Sequence, residues 1–181
     1  MRATSTDRFA AAGVLRDMPA VVVLVGTSGT GKTTFRRRLV EGGLPLDRVV
    51  SLDDLRREAR AEDLARGFRA RPLQGYSAAA VRRAMSRGEV MAAVGTGYVA
   101  DATHLVRRDR RAHVSIARDT GLPAIAVLTP LVDLEALLRR DLLRPTDERV
   151  PAEALARQQH RRALLSPHLL VDEGFDVVHV L

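Results

Sequence analysis

Short, unbroken apolar runs alternate along this chain with longer stretches in which apolar residues recur at helical spacing. Five runs, at 21–25, 48–52, 98–100, 124–128 and 176–181, are apolar without polar alternation. That pattern marks strands covered on both faces, and hence a parallel sheet between helices. The intervening stretches 32–41, 54–66, 77–94, 106–120, 132–144 and 151–165 predict helices. Several carry end signals. Gly42-Gly43 stops the first, Gly121-Leu122-Pro123 stops the fourth, and Pro151 suits the first turn of the last, with Glu153 near its positive end. Gly88 weakens the 77–94 helix by about 1 kcal/mol relative to alanine and invites a break there. Gly67, Pro72 and Gly75 make 66–75 a loop. No internal repeat or low-complexity linker interrupts the pattern.

The chemistry begins between the first strand and the first helix. Gly26-Thr27-Ser28-Gly29-Thr30-Gly31-Lys32-Thr33 fits G-x-x-x-x-G-K-[ST] at every fixed position, and Thr34 continues into the helix. Glycines let successive N–H groups converge on phosphate oxygens, and the helix that follows adds its positive end. Lys32 is then expected on the β- and γ-phosphates of a nucleotide and the Thr33 hydroxyl on a bridging Mg²⁺. An ordinary glycine-rich turn would explain the glycines but not the strand and helix on either side.

In a parallel sheet ligands gather at the carboxyl ends of the strands. Asp53 and Asp54 follow the second strand and Asp101 follows the third. Asp53 and Arg56, three apart at a helix start, project from one face, where a carboxylate can take the proton of an attacking hydroxyl while the arginine holds the acceptor. A helix N-cap with a first-turn acid accounts for Asp53-Asp54 equally well. Arg140 and Arg144 share a helical face before Pro145, a position suited to closing guanidinium groups over a phosphoryl group, or simply to placing cations at a helix C-terminus. The polar segment 145–150 reads as a lid.

Composition narrows the class. At 181 residues, 46% hydrophobic and 28% charged, the chain suits one globular domain, with 1–18 as an N-terminal extension and 19–181 as the domain. It has no cysteine, which excludes disulfides, thiolate metal sites and a cysteine nucleophile. His104, His113, His160, His168 and His179 show no metal-ligand spacing and read as surface or packing residues. No apolar run is long enough to span a membrane and residues 1–19 resemble no targeting signal, so the expectation is a soluble, cytoplasmic protein. The net charge of +7 suggests an anionic partner. Compositional bias toward arginine gives the same number, since pairs such as Arg107-Arg108 and Arg161-Arg162 suit solvated helix faces and Lys32 is the only lysine among 29 Lys+Arg. Four Phe, two Tyr and no Trp leave little for base stacking, so contact with nucleic acid would rest mainly on phosphates.

Taken in order, these motifs resemble the kinase domain of polynucleotide 5′-hydroxyl kinases of the bacterial end-healing and phage type. Gly26 to Phe35 is similar to that family's phosphate loop, Ser51-Leu52-Asp53-Asp54-Leu55-Arg56 to its S-x-D-x-x-R acceptor motif, and Val99-Ala100-Asp101-Ala102-Thr103 to its V-V-D-A-T strand end. Arg140-Asp141-Leu142-Leu143-Arg144-Pro145 resembles its R-N-x-x-R-P lid, with Asp141 where the family has Asn, and 174–181 resembles its last strand. Residues 66–75 have no counterpart, and no phosphatase or ligase partner lies within these residues. The resemblance implies a P-loop kinase fold with strand order 2-3-1-4-5 and a small lid. Lys32 and Thr33 would hold ATP and Mg²⁺, with Asp101 supporting the metal and its waters. Asp53 would be the general base, Arg56 would contact the acceptor's phosphate, and Arg140 and Arg144 would clamp the ATP phosphates.

The expected activity is transfer of the γ-phosphoryl of ATP, or another nucleoside triphosphate, to the 5′-hydroxyl of single-stranded RNA or DNA ends. A small-molecule kinase acting on a sugar, nucleoside or antibiotic hydroxyl is the alternative, because the same base serves any alcohol. A nucleotide-hydrolysing switch is the third reading. It is disfavoured because no apolar strand ends in Asp-Glu and Ala102 follows Asp101.

Overall fold

The computed structural model describes residues 19–181. Residues 1–18, expected as an N-terminal extension, lie outside the described residues. Five strands form one sheet: β1 (Ala20–Val25), β2 (Val49–Ser51), β3 (Gly97–Asp101), β4 (Ala124–Leu128) and β5 (Val177–Val180). Every pairing is parallel and the order is β2-β3-β1-β4-β5, as expected. β1 is central, with Val22 in register with Val99 on one side and Ile125 on the other.

The unbroken apolar runs resolve into two faces. Val21, Val23 and Val25 point into one core layer with Tyr98, Ala126 and Leu128, whereas Val22 and Leu24 point into the other with Phe35, Leu39, Val99 and Val127. Both faces of β1 are dry, which is why the strand needs apolar residues at successive positions rather than at alternate ones. Among the described residues seven α-helices accompany the sheet: α1 (Lys32–Glu41), α2 (Leu52–Ala65), α3 (Ser77–Ala93), α4 (Arg107–Thr120), α5 (Leu134–Leu142), α6 (Ala152–Ala163) and α7 (Pro167–Asp172).

Four details depart from the sequence pattern. Gly88 does not break α3. A Cβ there would lie 2.6 Å from the Tyr98 ring, so the glycine lets the helix approach the sheet closely. α2 begins at Leu52 rather than 54, because the Ser51 side chain accepts from the Asp54 N–H and ends β2 early. α5 stops at Leu142, so Arg144 lies beyond the helix rather than on it. α7 was not anticipated, although Ser166 caps it and Pro167 occupies its first turn. The predicted 66–75 loop ends in a short 3₁₀ turn, Leu73–Tyr76.

Two of the five histidines are core residues. His104 Nδ1 donates to the Leu24 carbonyl at 2.8 Å, since a carbonyl only accepts. Burial pushes His104 down to about 4 and His113 down to about 3, so both rings are neutral at pH 7. In that state His104 Nε2 is an acceptor, His113 Nε2 is the donor across their 3.2 Å contact, and His113 Nδ1 accepts from the Tyr98 O–H at 2.7 Å. Beside these rings, Arg110 makes a buried bidentate pair with Glu173 and donates to the His104 carbonyl. These contacts fix α4 against the end of β1, directly behind the glycine-rich loop.

Candidate active site

The loop between β1 and α1 is held from behind. The Gly26 N–H donates to Thr103 O, and a Cβ at Gly26 would fall 1.8 Å from Thr129 Oγ1. Thr30 Oγ1 reaches both Thr27 O and Thr129 Oγ1 at 2.7 Å. Arg162 is buried, with Nε and Nη2 donating to Thr129 O at 2.9 and 2.6 Å, which corrects its reading as part of a solvated face. Thr27 and Thr30 thus form the loop's foundation. Gly29 and Gly31, at φ 82° and 97°, supply the left-handed turns that only glycine adopts without strain.

In front of the loop lies a cavity of about 550 Å³. Of the residues singled out in the sequence, Ser28, Gly29, Gly31, Lys32, Thr33, Thr34, Asp53, Arg56, Asp101, Arg140 and Arg144 all line it. Gly26, Thr27 and Thr30 lie behind its wall. Lys32 Nζ donates to Gly26 O and Thr27 O at 2.9 and 2.7 Å. Crowding by protein atoms lowers its pKa to about 8, against the opposing pull of Asp101 and Asp53, even though part of the side chain reaches the cavity.

Asp53 and Asp54 are first-turn acids rather than caps, the cap being Ser51. They have different partners. Arg56 Nη1 donates to Asp53 Oδ1 at 2.5 Å and its Nε to Ser77 Oγ at 3.1 Å, so the guanidinium is braced against the start of α3. Asp53 Oδ2 has no partner among the described residues. Asp54 instead receives Arg57 at 2.6 Å and Arg36 at 2.9 Å. Arg36 also donates to Asp101 Oδ2 at 3.1 Å. Burial raises the pKa of Asp101, and Arg36 and Lys32 oppose that rise. Asp101 and the Thr33 hydroxyl fit the sparse protein contribution that Mg²⁺ takes when most of its ligands are water and phosphate oxygens. Among the described residues no group of three His, Asp or Glu side chains forms a denser metal cluster.

The far wall comes from the lid. Arg140 Nη1 donates to Gly29 O at 2.8 Å, and Arg144 Nη1 to Glu148 O at 3.3 Å. Asp141, the departure from the R-N-x-x-R-P pattern, is buried and accepts from Val150 N–H at 3.0 Å, with Oδ1 3.6 Å from Arg144. Its Oδ2 takes the Val150 bond, while its buried Oδ1 has no hydrogen-bond partner among the described residues and meets Arg144 by charge alone. Three residues of the site had no motif to announce them. Arg36 lies in a run of arginines, Gln158 on α6 accepts from the Ser28 N–H at 2.9 Å, and Glu148 meets Arg57 at 3.1 Å. Only packing brings them there.

The chain belongs to the AAA domain family: the AAA_33 family model matches residues 21–165. No curated protein matches it. Its fold is that of P-loop kinase-like proteins. One similar structure is AvrRxo1-ORF1 in its complex with AvrRxo1-ORF2 and sulphate ions, at TM-score 0.62 and 16% identity, covering 83% of this chain and 51% of that one. The chain thus spans about half the length of that protein. A candidate kinase from Chloroflexus aurantiacus matches at TM-score 0.59 and 16% identity over 91% of this chain and 85% of that one. A gluconokinase from Sinorhizobium meliloti 1021 matches at 0.51 and 21% over 92% and 83%. Among the described residues no helix is long and apolar enough to cross a membrane.

Proposed function

We propose that this protein transfers the γ-phosphoryl group of ATP to an alcohol, and that the preferred alcohol is the 5′-hydroxyl of a single-stranded RNA or DNA end. The observation that carries the reading is that one cavity is lined by a phosphate loop, a carboxylate with an unshared oxygen and two lid arginines. Phosphoryl transfer asks for little covalent chemistry from the protein and much positioning. Asp53 Oδ2 accepts the proton of the attacking hydroxyl as that oxygen bonds to the γ-phosphorus, and the bond to the β–γ bridging oxygen breaks. Arg56, braced by Asp53 and Ser77, orients the acceptor. Lys32, Arg140 and the loop N–H groups meet the charge on the phosphates. Thr33 and Asp101 would hold Mg²⁺, which would supply positive charge to the nucleotide's phosphates.

A second reading has its own support. The gluconokinase neighbour shares the fold and acts, by its name, on a small sugar acid, and Asp53 would serve such an alcohol equally well. Incubation with γ-labelled ATP and a panel of 5′-hydroxyl oligonucleotides, nucleosides and sugars decides between them. We expect label on the oligonucleotides. Label on a sugar or free nucleoside alone would transfer the assignment to a small-molecule kinase, and release of inorganic phosphate with no labelled acceptor would leave only hydrolysis.

A further inference from the structure

The segment 66–71, which matched no motif, holds the one exposed Phe or Tyr ring among the described residues. Phe35, Tyr76, Tyr98 and Phe175 are all buried, whereas Phe68 is 61% exposed. Most arginines along α2 and α3 are matched by acids, Arg57 with Asp54 and Glu148, Arg60 with Asp147, Arg83 with Glu62 and Arg87 with Glu58, whereas exposed Arg82 has no ion pair among the described residues. Arg66 and Arg69, on either side of Phe68, are exposed and make neither an ion pair nor a side-chain hydrogen bond among the described residues, Arg66 feeling only the field of Glu62, which Arg83 already holds. The loop is nonetheless well held. Gly67 turns it at φ 79°, Phe68 N–H donates to Asp63 O, and Arg71 lies 4.6 Å over the Tyr76 ring while pairing with Asp63. Its returning limb leads straight to Leu73 and Gln74, which line the catalytic cavity.

We propose that 66–71 is a binding track for single-stranded nucleic acid, in which Phe68 stacks on one base and Arg66 and Arg69 meet the phosphates to either side. A ring bracketed by unpaired guanidinium groups on a pre-ordered loop is the combination that binds single strands without reading sequence. The inference rests on the polynucleotide reading of the acceptor and extends it. α2 carries Asp53 in its first turn and the track just past its last, so at 1.5 Å per residue the two are about 20 Å apart. That span corresponds to about six stacked nucleotides at 3.4 Å each, and fewer in an extended strand. The track therefore rewards length. A dinucleotide fills the catalytic pocket alone, and a longer strand gains the second contact.

The test uses the whole chain with 5′-hydroxyl oligonucleotides of two, four, six and ten nucleotides, in RNA and DNA series, measured by fluorescence anisotropy and by KM. Affinity should rise with length up to about six nucleotides and then level off. Phe68→Ala should weaken the ten-nucleotide strand by about 5- to 150-fold, the usual worth of one stacked base, and Phe68→Tyr should restore it. The double variant Arg66→Gln/Arg69→Gln should flatten the salt dependence by about 1.4 logarithmic units per tenfold salt, at 0.7 per phosphate. KM for ATP, and turnover on a nucleoside 3′-phosphate, should not change in any of these variants. If the wild type phosphorylates oligonucleotides but Phe68→Ala binds the ten-nucleotide strand as tightly, the track is wrong and the acceptor assignment stands; Phe68, with exposed Leu64 nearby, then belongs to a protein contact. If the wild type neither binds nor phosphorylates oligonucleotides while a small alcohol is labelled, both fall together.

Discussion

The two rims of the cavity are built from different materials. On the phosphate-loop rim the core carries the backbone: Thr30 meets Thr129, Thr129 is held by buried Arg162, Gly26 is tied to Thr103, and the next residue, His104, reaches back to Leu24 through its own Nδ1. On the opposite rim, α2 and the lid are joined by partly exposed ion pairs, Arg57 with Glu148 and Arg60 with Asp147, and the acceptor side of the pocket is finished by side chains alone. Buried, mutually satisfied groups specify one geometry, because any other leaves polar atoms unpaired. Exposed pairs cost little to rearrange. The phosphate-loop rim is thus held to one geometry, whereas the opposite rim tolerates changes of partner.

The largest effects expected are those that remove charge where both rims meet the reacting group. Asp53→Asn should still bind nucleotide while transfer falls about 10²- to 10⁴-fold, the usual range for a positioned base. Asp54→Asn should be milder, because Asp54 is held by Arg36 and Arg57 whereas Asp53 keeps an oxygen unshared. The reverse order would move the base to Asp54. Replacing Arg140 or Arg144 with glutamine should lower transfer by up to about 10³-fold or more, with lysine a poor rescue because it loses the planar fork.

The phosphate-loop rim was also the legible one. A phosphate loop needs fixed residue types at fixed spacing, so it is written in one contiguous stretch, and the strand before it and helix after it follow from local pattern alone. Asp53 and Arg56 were visible for the same reason, being one helical turn apart. Strand order 2-3-1-4-5 came with the family resemblance rather than from the pattern itself. What stayed hidden was long-range. Gln158 is 130 residues from the Ser28 N–H it meets, and Glu148 is 91 from Arg57. Gly88 looked like a helix breaker because only the folded sheet puts Tyr98 beneath it. The buried histidines carried no periodic signal, since each is satisfied by the other rather than by its own neighbours in sequence.

Titration separates the rims more sharply than mutation. Lys32 is charged below its depressed value of about 8 and neutral above it. kcat/KM for ATP, which reports the free enzyme, should therefore be level below pH 8 and fall toward tenfold per pH unit above it. kcat itself should hold to higher pH, because bound phosphates favour the charged amine. A limb for kcat/KM above pH 10 would remove the argument from crowding. At the acid end His104 and His113 titrate near 4 and 3 when folded and near 6.5 when unfolded. Below pH 6.5 the unfolded chain binds more protons. Stability should be full above that point and decline as pH falls, by a slope approaching about 1.4 kcal/mol per pH unit for each ring, with half-buried His179 adding in the same direction. Urea unfolding at pH 7, 6 and 5 measures it, and an unchanged midpoint would show that the rings are not held neutral. The decline should persist in high salt, because desolvation rather than surface charge causes it.

The lid pairs should show the opposite signature and the smallest effect. Arg57–Glu148 and Arg60–Asp147 are partly exposed, so each contributes about 0.2–1 kcal/mol at most and is screened by salt. Raising salt from about 50 to 200 mM should therefore loosen the contact between lid and α2 and raise KM for ATP a few-fold at most, with the unfolding midpoint nearly constant. The double variant Asp147→Asn/Glu148→Gln removes both acids and leaves Arg144 its bond to the Glu148 carbonyl, which is backbone. It should start at the higher KM and lose most of the remaining salt response, while the acid limb set by the histidines stays where it was. A variant whose acid stability moved as well would mean that the two rims share one cooperative network, and the contrast between a core-backed rim and a surface-paired one would fail.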